Sequence, residues 1–219
     1  MKQLIVIPCF NTHKYIKDLI YELRNNTDVD ILIYDDGSSP ALSLNKLKYP
    51  NLYLIRNQIN HGKGYTLKKA FYYSINKDYT HMLTIDGDMQ HNPNEIEKFI
   101  NIKSKVEFVF GSRKLIKPMP IHRRLSNYIT SSIISLLISN KIYDSQCGYR
   151  RYKLDCVNID NINDNGYLFE SEIILNSINS KSNITNISID TIYSDNKSHI
   201  NNLTDTFKFI NIIFKYIFA

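Results

Sequence analysis

Met82-Leu83-Thr84-Ile85-Asp86-Gly87-Asp88-Met89-Gln90-His91-Asn92-Pro93 decides the reading of this chain. A short apolar run, Met82 to Ile85, reads as a buried strand. Asn92-Pro93 then opens a helix, with Pro at its first position and Glu95 and Glu97 in its first turns. Between them stands Asp86-Gly87-Asp88. Side chains at i and i+2 of an extended segment point the same way, so the two carboxylates form a compact oxygen-ligand site for a hard divalent cation. Such a cation keeps positions free for substrate phosphates and stabilises a charged leaving group.

Working outward, the first half alternates strands with helices. Residues 4–7, 31–34, 52–55 and 108–110 join 82–85 as strands. Tyr15, Ile16, Leu19, Ile20 and Leu23 mark one amphipathic helix, and Leu67, Ala70, Phe71 and Ile75 mark another after Gly64. This alternation with short connections predicts an α/β fold, a mostly parallel sheet covered by helices. In the second half, residues 125–139, 170–178 and 207–218 read as helices, and 148–152 and 184–193 as strands. No repeat or low-complexity linker breaks the 219 residues, so one domain is expected.

In open α/β sheets ligands bind beyond the carboxyl ends of the strands. Four polar groups fall there: Pro8-Cys9-Phe10-Asn11, Asp35-Asp36-Gly37-Ser38, Asn57 with His61-Gly62-Lys63-Gly64, and Asp86-Gly87-Asp88. One crevice would collect two acidic pairs, a Gly-Lys-Gly turn and a metal, which suits a nucleotide diphosphate. Asp36 would take a base or ribose donor and Lys63 a phosphate.

These strings, together with Gly111-Ser112-Arg113 and Asp144-Ser145-Gln146-Cys147-Gly148-Tyr149-Arg150, resemble the family 2 glycosyltransferases of GT-A (Rossmann-like) fold, in family order from residue 3 to about 200. The Asp-Gly-Asp-Met-Gln-His and Gln-Cys-Gly-Tyr-Arg strings are similar to the branch containing dolichyl-phosphate mannose synthases and polyprenyl-phosphate sugar transferases. The resemblance implies a single GT-A domain, with residues 1–112 as the nucleotide-sugar half and 113–219 as the acceptor half. It implies that Pro8, Asn11, Asp36, Lys63 and Asp86 bind the nucleotide, and that Asp86, Asp88 and Gln90 hold Mg²⁺ or Mn²⁺. Asp88 and Asp144 would be catalytic, Asp144 as base for a hydroxyl acceptor or as orienter for a phosphate. Arg113, Arg123, Arg124 and Arg150 would face donor or acceptor phosphate. Ser198 would join them, in a segment (194–199, ending at His199) that resembles a late loop closing near the diphosphate. The implied activity is inverting hexosyl transfer from a UDP- or GDP-sugar to a dolichyl or undecaprenyl phosphate. Two departures stand out: Thr12-His13 follows Asn11 where the family often has an acidic residue, and many polyprenyl-phosphate relatives continue into transmembrane helices.

Composition narrows the partners. The net charge of +6 favours polyanions, yet no nucleic-acid motif surrounds the arginines, so nucleic acid is not expected. Three cysteines, Cys9, Cys147 and Cys156, are too few and too irregular for a disulfide framework or a zinc site. Met1-Lys2-Gln3 leads straight into a strand, so no signal peptide is expected. No apolar run reaches the ~20 residues a spanning helix needs. Residues 128–138 and 207–218 are apolar enough to be either core helices or helices in interfacial contact with a membrane, with Lys208, Asn211 and Lys215 on one face of the latter. The expected location is cytoplasmic, peripheral on the inner face of a membrane, with a separate anchoring protein as a possible partner. Two other functions fit less well: transfer to a glycan hydroxyl in surface polysaccharide synthesis, and a catalytically silent nucleotide-sugar-binding subunit.

Overall fold

Leu4, Ile5, Val6 and Ile7 are all completely buried, as a strand covered on both faces requires. They lie in β1 (Gln3–Cys9), an interior strand of a seven-stranded sheet. The computed structural model describes residues 1–45, 47, 49–114, 119–192 and 202–218, with side chains from 206 in the last stretch. On one side β1 pairs in parallel with β2 (Asp30–Asp35), which pairs in parallel with β3 (Leu52–Arg56) at the sheet edge. On the other side β1 pairs with β4 (His81–Thr84). Beyond β4 come β6 (Arg150–Lys153), antiparallel to both neighbours, then β5 (Phe108–Arg113) and β7 (Ile184–Ile189). The order is β3-β2-β1-β4-β6-β5-β7, and strands from both sides of residue 112 share the sheet.

The period-2 alternation of the strands divides the core into two layers. Leu4, Val6, Leu32, Tyr34, Met82, Phe108, Phe110 and Tyr152 face α2 (Lys63–Asn76), α4 (Ile121–Leu137), α5 (Phe169–Ser177) and α6 (Asn202–Phe218). Ile5, Ile7, Ile31, Ile33, Leu83, Ile85 and Val109 face α1 (His13–Asn26) and α3 (Ile96–Ile100). In α1, Ile16, Leu19, Ile20 and Leu23 supply the inward stripe at i, i+3, i+4 and i+7.

Four boundaries differ from the sequence reading. The helix expected at Pro93 opens as a 3₁₀ turn and becomes the short α3. There the Asn92 side chain accepts the Asn94 N–H, and Glu95 turns inward to accept the Asp190 N–H at 3.0 Å. β6 starts at Arg150 because the Gly148 carbonyl accepts the Thr84 hydroxyl, at 2.8 Å. α4 begins at Ile121, directly after Pro120, which brings Arg123 and Arg124 into its first turn. β7 ends at Ile189, and Thr191 then bridges to His91. The segment carrying Ser198 and His199 lies outside the described residues.

Candidate active site

The carboxyl ends of β1, β2 and β4 deliver the expected polar groups to one end of the sheet. Asp86 and Asp88 follow β4 directly. The intervening Gly87 is closely packed, since a Cβ there would stand 3.0 Å from Cys9 Sγ and 3.3 Å from the Pro8 carbonyl. Gly148 is tighter still: a Cβ would stand 2.5 Å from Asp86 Oδ2. The Asp-Gly-Asp and Cys-Gly-Tyr strings, 61 residues apart in sequence (Gly87 to Gly148), are thus one packed unit. Met89 turns the chain after Asp88 with a positive φ of 60°, a conformation that costs a non-glycine residue about 1–2 kcal/mol.

Asp86 sits between Lys63 and His91. Lys63 Nζ, from the first turn of α2, lies 2.6 Å from its Oδ1, and His91 Nε2 lies 3.3 Å from its Oδ2. Burial alone would raise the Asp86 carboxyl, but Lys63 and His91 overcome that and hold it far below the usual carboxylate range. Lys63 also pairs with Glu170 at 3.3 Å, from the start of α5. Burial pulls its ammonium down, and the two carboxylates more than reverse this, so it stays charged. The glycines flanking Lys63 let the 164–166 loop close over the turn. A Cβ on Gly62 would meet the Asn165 carbonyl at 2.4 Å, and one on Gly64 would meet three atoms of that loop at 2.7 Å.

Asp88 is the contrasting member of the pair. Burial and then the neighbouring Asp86 charge raise its carboxyl, and its Oδ1 accepts only the Gln90 N–H at 3.1 Å. Two hard oxygen donors, one destabilised by the other's charge, are what a divalent cation relieves. The residues therefore fit Mg²⁺ or Mn²⁺. Among the described residues no cluster of three or more His, Cys, Asp or Glu side chains could hold a metal unaided; substrate oxygens would complete the shell.

At the end of β2, Asp36 is nearly buried and accepts from Asn57 Nδ2 at 2.7 Å, the Gly62 N–H at 2.8 Å and the His61 N–H at 3.1 Å. It pins the 57–62 turn to the strand end. Asn11, with φ of 55°, ties the first loop to the second by accepting the Ser39 N–H at 3.0 Å. Pro8 is half-buried, and Phe10 beside it is exposed.

The second half contributes an ion pair. Asp144 is completely buried and accepts Arg113 Nε at 2.7 Å, Arg113 Nη2 at 3.0 Å, Asn127 Nδ2 at 2.6 Å and the Gln146 N–H at 3.1 Å. Burial pushes its carboxyl up; Arg113 and Asn127 outweigh this and keep it below the usual range. Arg113, lowered by burial but raised more by Asp144, is always charged. Arg123 is exposed on α4, and Arg124 beside it is half-buried with its Nε unpartnered. Arg150 differs from expectation. It is wholly buried, with its guanidinium donating to the carbonyls of Ser145 (2.6 Å), Cys147 (2.6 Å) and Glu170 (3.0 Å), so it braces the site from within and presents nothing to a ligand. Glu170 and Asn127 were not singled out from the sequence. Their signal is purely spatial: each lies on a helix whose partner in the ion-pair network is distant along the chain.

A family model, Glycosyl transferase family 2, matches residues 4–166. The chain belongs to this family. Family 2 relatives include an uncharacterised protein of Methanocaldococcus jannaschii, 36% identical over 78% of this chain and 80% of its own. Another is the UDP-N-acetylglucosamine–dolichyl-phosphate N-acetylglucosaminyltransferase of Methanococcus voltae, 29% identical over 87% of this chain and 86% of its own. The polyprenol monophosphomannose synthase of Mycolicibacterium smegmatis is 20% identical over 86% of this chain and 76% of its own. Among solved structures, glucosyl-3-phosphoglycerate synthase of Mycobacterium tuberculosis with Mn²⁺, UDP and glucosyl-3-phosphoglycerate superposes with a TM-score of 0.71 at 12% identity. That match covers 99% of this chain and 78% of the other. It shows the GT-A fold.

Proposed function

We propose that this chain is an inverting glycosyltransferase that moves a sugar from a UDP- or GDP-sugar to a polyprenyl phosphate at the cytoplasmic face of a membrane. The observation that carries the choice of acceptor is the state of Asp144. A hydroxyl acceptor needs a general base within reach of its proton. Asp144 is the acidic residue that the family resemblance places at the acceptor, and its oxygens are already committed to Arg113, Asn127 and Gln146. A phosphate monoester, with a second pKa near 6, is ionised at neutral pH without a base. What it needs is a planar cation, and Asp144 fixes Arg113 for that role.

In this reading residues 1–112 hold the donor and 113–219 the acceptor. Pro8, Asn11 and the Asp36-pinned turn form the nucleotide pocket. Asp88, Asp86 and Gln90 would hold Mg²⁺ or Mn²⁺, which would supply Lewis-acid stabilisation of the departing diphosphate. Lys63 places a second positive charge beside the same carboxylates. Arg113, with Arg123 and Arg124 nearby in sequence on α4, receives the acceptor phosphate. Glu170 positions Lys63 and Asp144 positions Arg113; neither transfers a proton.

The lipid reading has support from two helices. α6 packs on the core through Phe209, Ile212, Ile213 and Tyr216, yet turns Phe207, Ile210, Phe214, Ile217 and Phe218 to solvent. α4, on the same face of the sheet, exposes Ile121, Leu125, Tyr128, Ile129, Ile133 and Leu136. Among the described residues no helix is long and apolar enough to cross a membrane, so these stripes would lie in the interface. The test is a screen of nucleotide sugars with a short polyprenyl phosphate and Mg²⁺ or Mn²⁺, detecting the glycolipid by mass. Efficient use of a glycan hydroxyl with polyprenyl phosphate ignored would overturn the proposal.

A further inference from the structure

At the amino-terminal edge of the sheet, the end opposite the diphosphate pocket, Arg151 is buried without a counter-charge among the described residues. It lies on β6 between Leu83 of β4 and Val109 of β5 and is 0% exposed. Its Nη2 reaches the Met1 thioether at 3.2 Å, and its Nε and Nη1 have no partner. A thioether is a weak acceptor. Burial, with no carboxylate to offset it, pulls the guanidinium down to about 10, still charged at neutral pH. A trapped water would satisfy the orphaned N–H groups but would leave the charge uncompensated. Arg150, its neighbour, shows the contrast: three carbonyls surround its guanidinium.

On the other side of Met1 from Arg151 is a cavity of about 500 Å³, lined in part by Met1, Thr80, His81, Lys105 and Lys153, with Arg151 itself outside the lining. Met1 is therefore both a cavity wall and the cover on Arg151. Lys105 and Lys153 add positive charge against a single lining carboxylate, the exposed Asp155, which Lys153 meets at 3.0 Å. His81 is held neutral, at about 4, by burial and by Arg151, and its ring contacts Thr80 Oγ1 and the Ser104 carbonyl. His81 opens β4 and Asp86 follows its end, so five residues of extended chain, about 16 Å, separate this cavity from the diphosphate pocket.

We propose that this cavity binds a small oxyanion of the phosphate class, which Arg151 receives when the Met1 side chain swings aside. The site is independent of the transferase reading. Arg supplies the two parallel N–H groups that match a phosphate edge, and Lys105 and Lys153 draw the anion into the cavity.

The test uses protein labelled with ¹³C at its methionine methyls, titrated with inorganic phosphate against chloride at matched ionic strength. Of the four methionines, Met1 reports this cavity and Met89, next to Asp88, reports the diphosphate pocket. The expected result is a saturable shift of the Met1 methyl at phosphate concentrations at least tenfold below those that move Met89. Arg151→Leu, which leaves an apolar residue in place of a buried charge, should abolish the phosphate dependence of Met1. Lys153→Ala, on the exposed wall, tests the site with Arg151 intact and should weaken binding at least threefold. Repeating the titration with a phosphate monoester separates the two sources of the ligand: tighter monoester binding assigns the site to a phosphorylated metabolite, and weaker binding to free phosphate. A Met1 methyl that does not respond in the wild-type chain, or responds equally in Arg151→Leu, would overturn the proposal.

Discussion

Replacing Asp144 separates a general base from a clamp. Its carboxylate accepts from two Arg113 side-chain nitrogens at 2.7 and 3.0 Å, from Asn127 at 2.6 Å, and from the Arg113 and Gln146 backbone N–H groups at 3.2 and 3.1 Å. Asp144→Ala orphans all of these donors and leaves the guanidinium without its counter-charge. Breaking a buried pair in this way costs about 3–5 kcal/mol. The Arg113 side chain is 18% exposed, so water recovers part of the loss and about 3 kcal/mol is the working figure. For a chain of this length that lowers Tm by roughly 6–12 °C. Asp144→Asn keeps one carbonyl acceptor and should cost about 2 kcal/mol.

The pH dependence follows from linkage. Asp144 is held below the usual range in the folded chain, so the unfolded chain takes up the proton first. Its contribution is complete above about pH 5 and is lost as pH falls through the folded value. Urea unfolding of Asp144→Asn should therefore show a shallower loss of stability below pH 5 than wild type. In turnover, a clamp predicts a polyprenyl-phosphate KM raised about tenfold, the equivalent of 1.4 kcal/mol, with the shape of the pH–rate profile retained. A base predicts loss of kcat by about 10²–10⁴ and disappearance of the acid limb. A stable Asp144→Ala, or loss of that limb in Asp144→Asn, would refute the reasoning.

The parallel half of the fold was legible because buried strands announce themselves: residues 4–7, 31–34 and 82–85 are apolar runs that end in polar motifs. The antiparallel insertion of β6 between β4 and β5 was not legible. Residues 148–152 read as a short strand, but nothing local gives its direction or its place in the sheet, or says that Arg150 and Arg151 are both fully buried. The same blind spot misplaced Arg150, since a motif match gives a position in the chain and not the direction of a side chain. Asp86, Asp88 and Lys63 were legible as candidates because their chemistry is written in adjacent residues, and the structure brings the Lys63 ammonium onto the Asp86 carboxylate. Glu170 and Asn127 were missed because each acts on a partner more than a dozen residues away. The two readings of residues 207–218, core helix and surface-facing apolar helix, meet in α6: it packs on the core through Phe209 and still exposes an apolar stripe.

Four further outcomes are expected. Gly148→Ala should abolish transfer while the chain stays folded, because its Cβ would stand 2.5 Å from Asp86 Oδ2; circular dichroism with an activity assay checks it, and a fully active variant would contradict the packing. Lys63→Met should cut nucleotide-sugar affinity measured by calorimetry, and should cost about 3 kcal/mol by taking the ammonium partner from Glu170 and leaving Asp86 with His91 alone; unchanged affinity would remove Lys63 from the donor site. Chelator should stop transfer and Mg²⁺ or Mn²⁺ restore it, with Asp88→Asn weakening Mn²⁺ binding seen by EPR in the presence of UDP; full turnover in excess chelator would end the metal reading. The last concerns the membrane. Phe207, Phe214 and Phe218 are 69%, 57% and 79% exposed, so changing them to Ser removes apolar surface that the fold does not bury. Stability should then change by less than about 0.5 kcal/mol, whereas deleting α6 would also strip Phe209 from the core and confuse the two roles. At about 25 cal/mol per Å², and roughly 100 Å² of inserted surface for each ring, the three side chains are worth several kcal/mol of interfacial binding. The triple variant should thus remain folded, lose co-sedimentation with anionic liposomes by more than tenfold, and lose turnover on long-chain acceptors but not on short soluble ones. Equal liposome binding by the variant and the wild-type chain would show that α6 does not touch the bilayer.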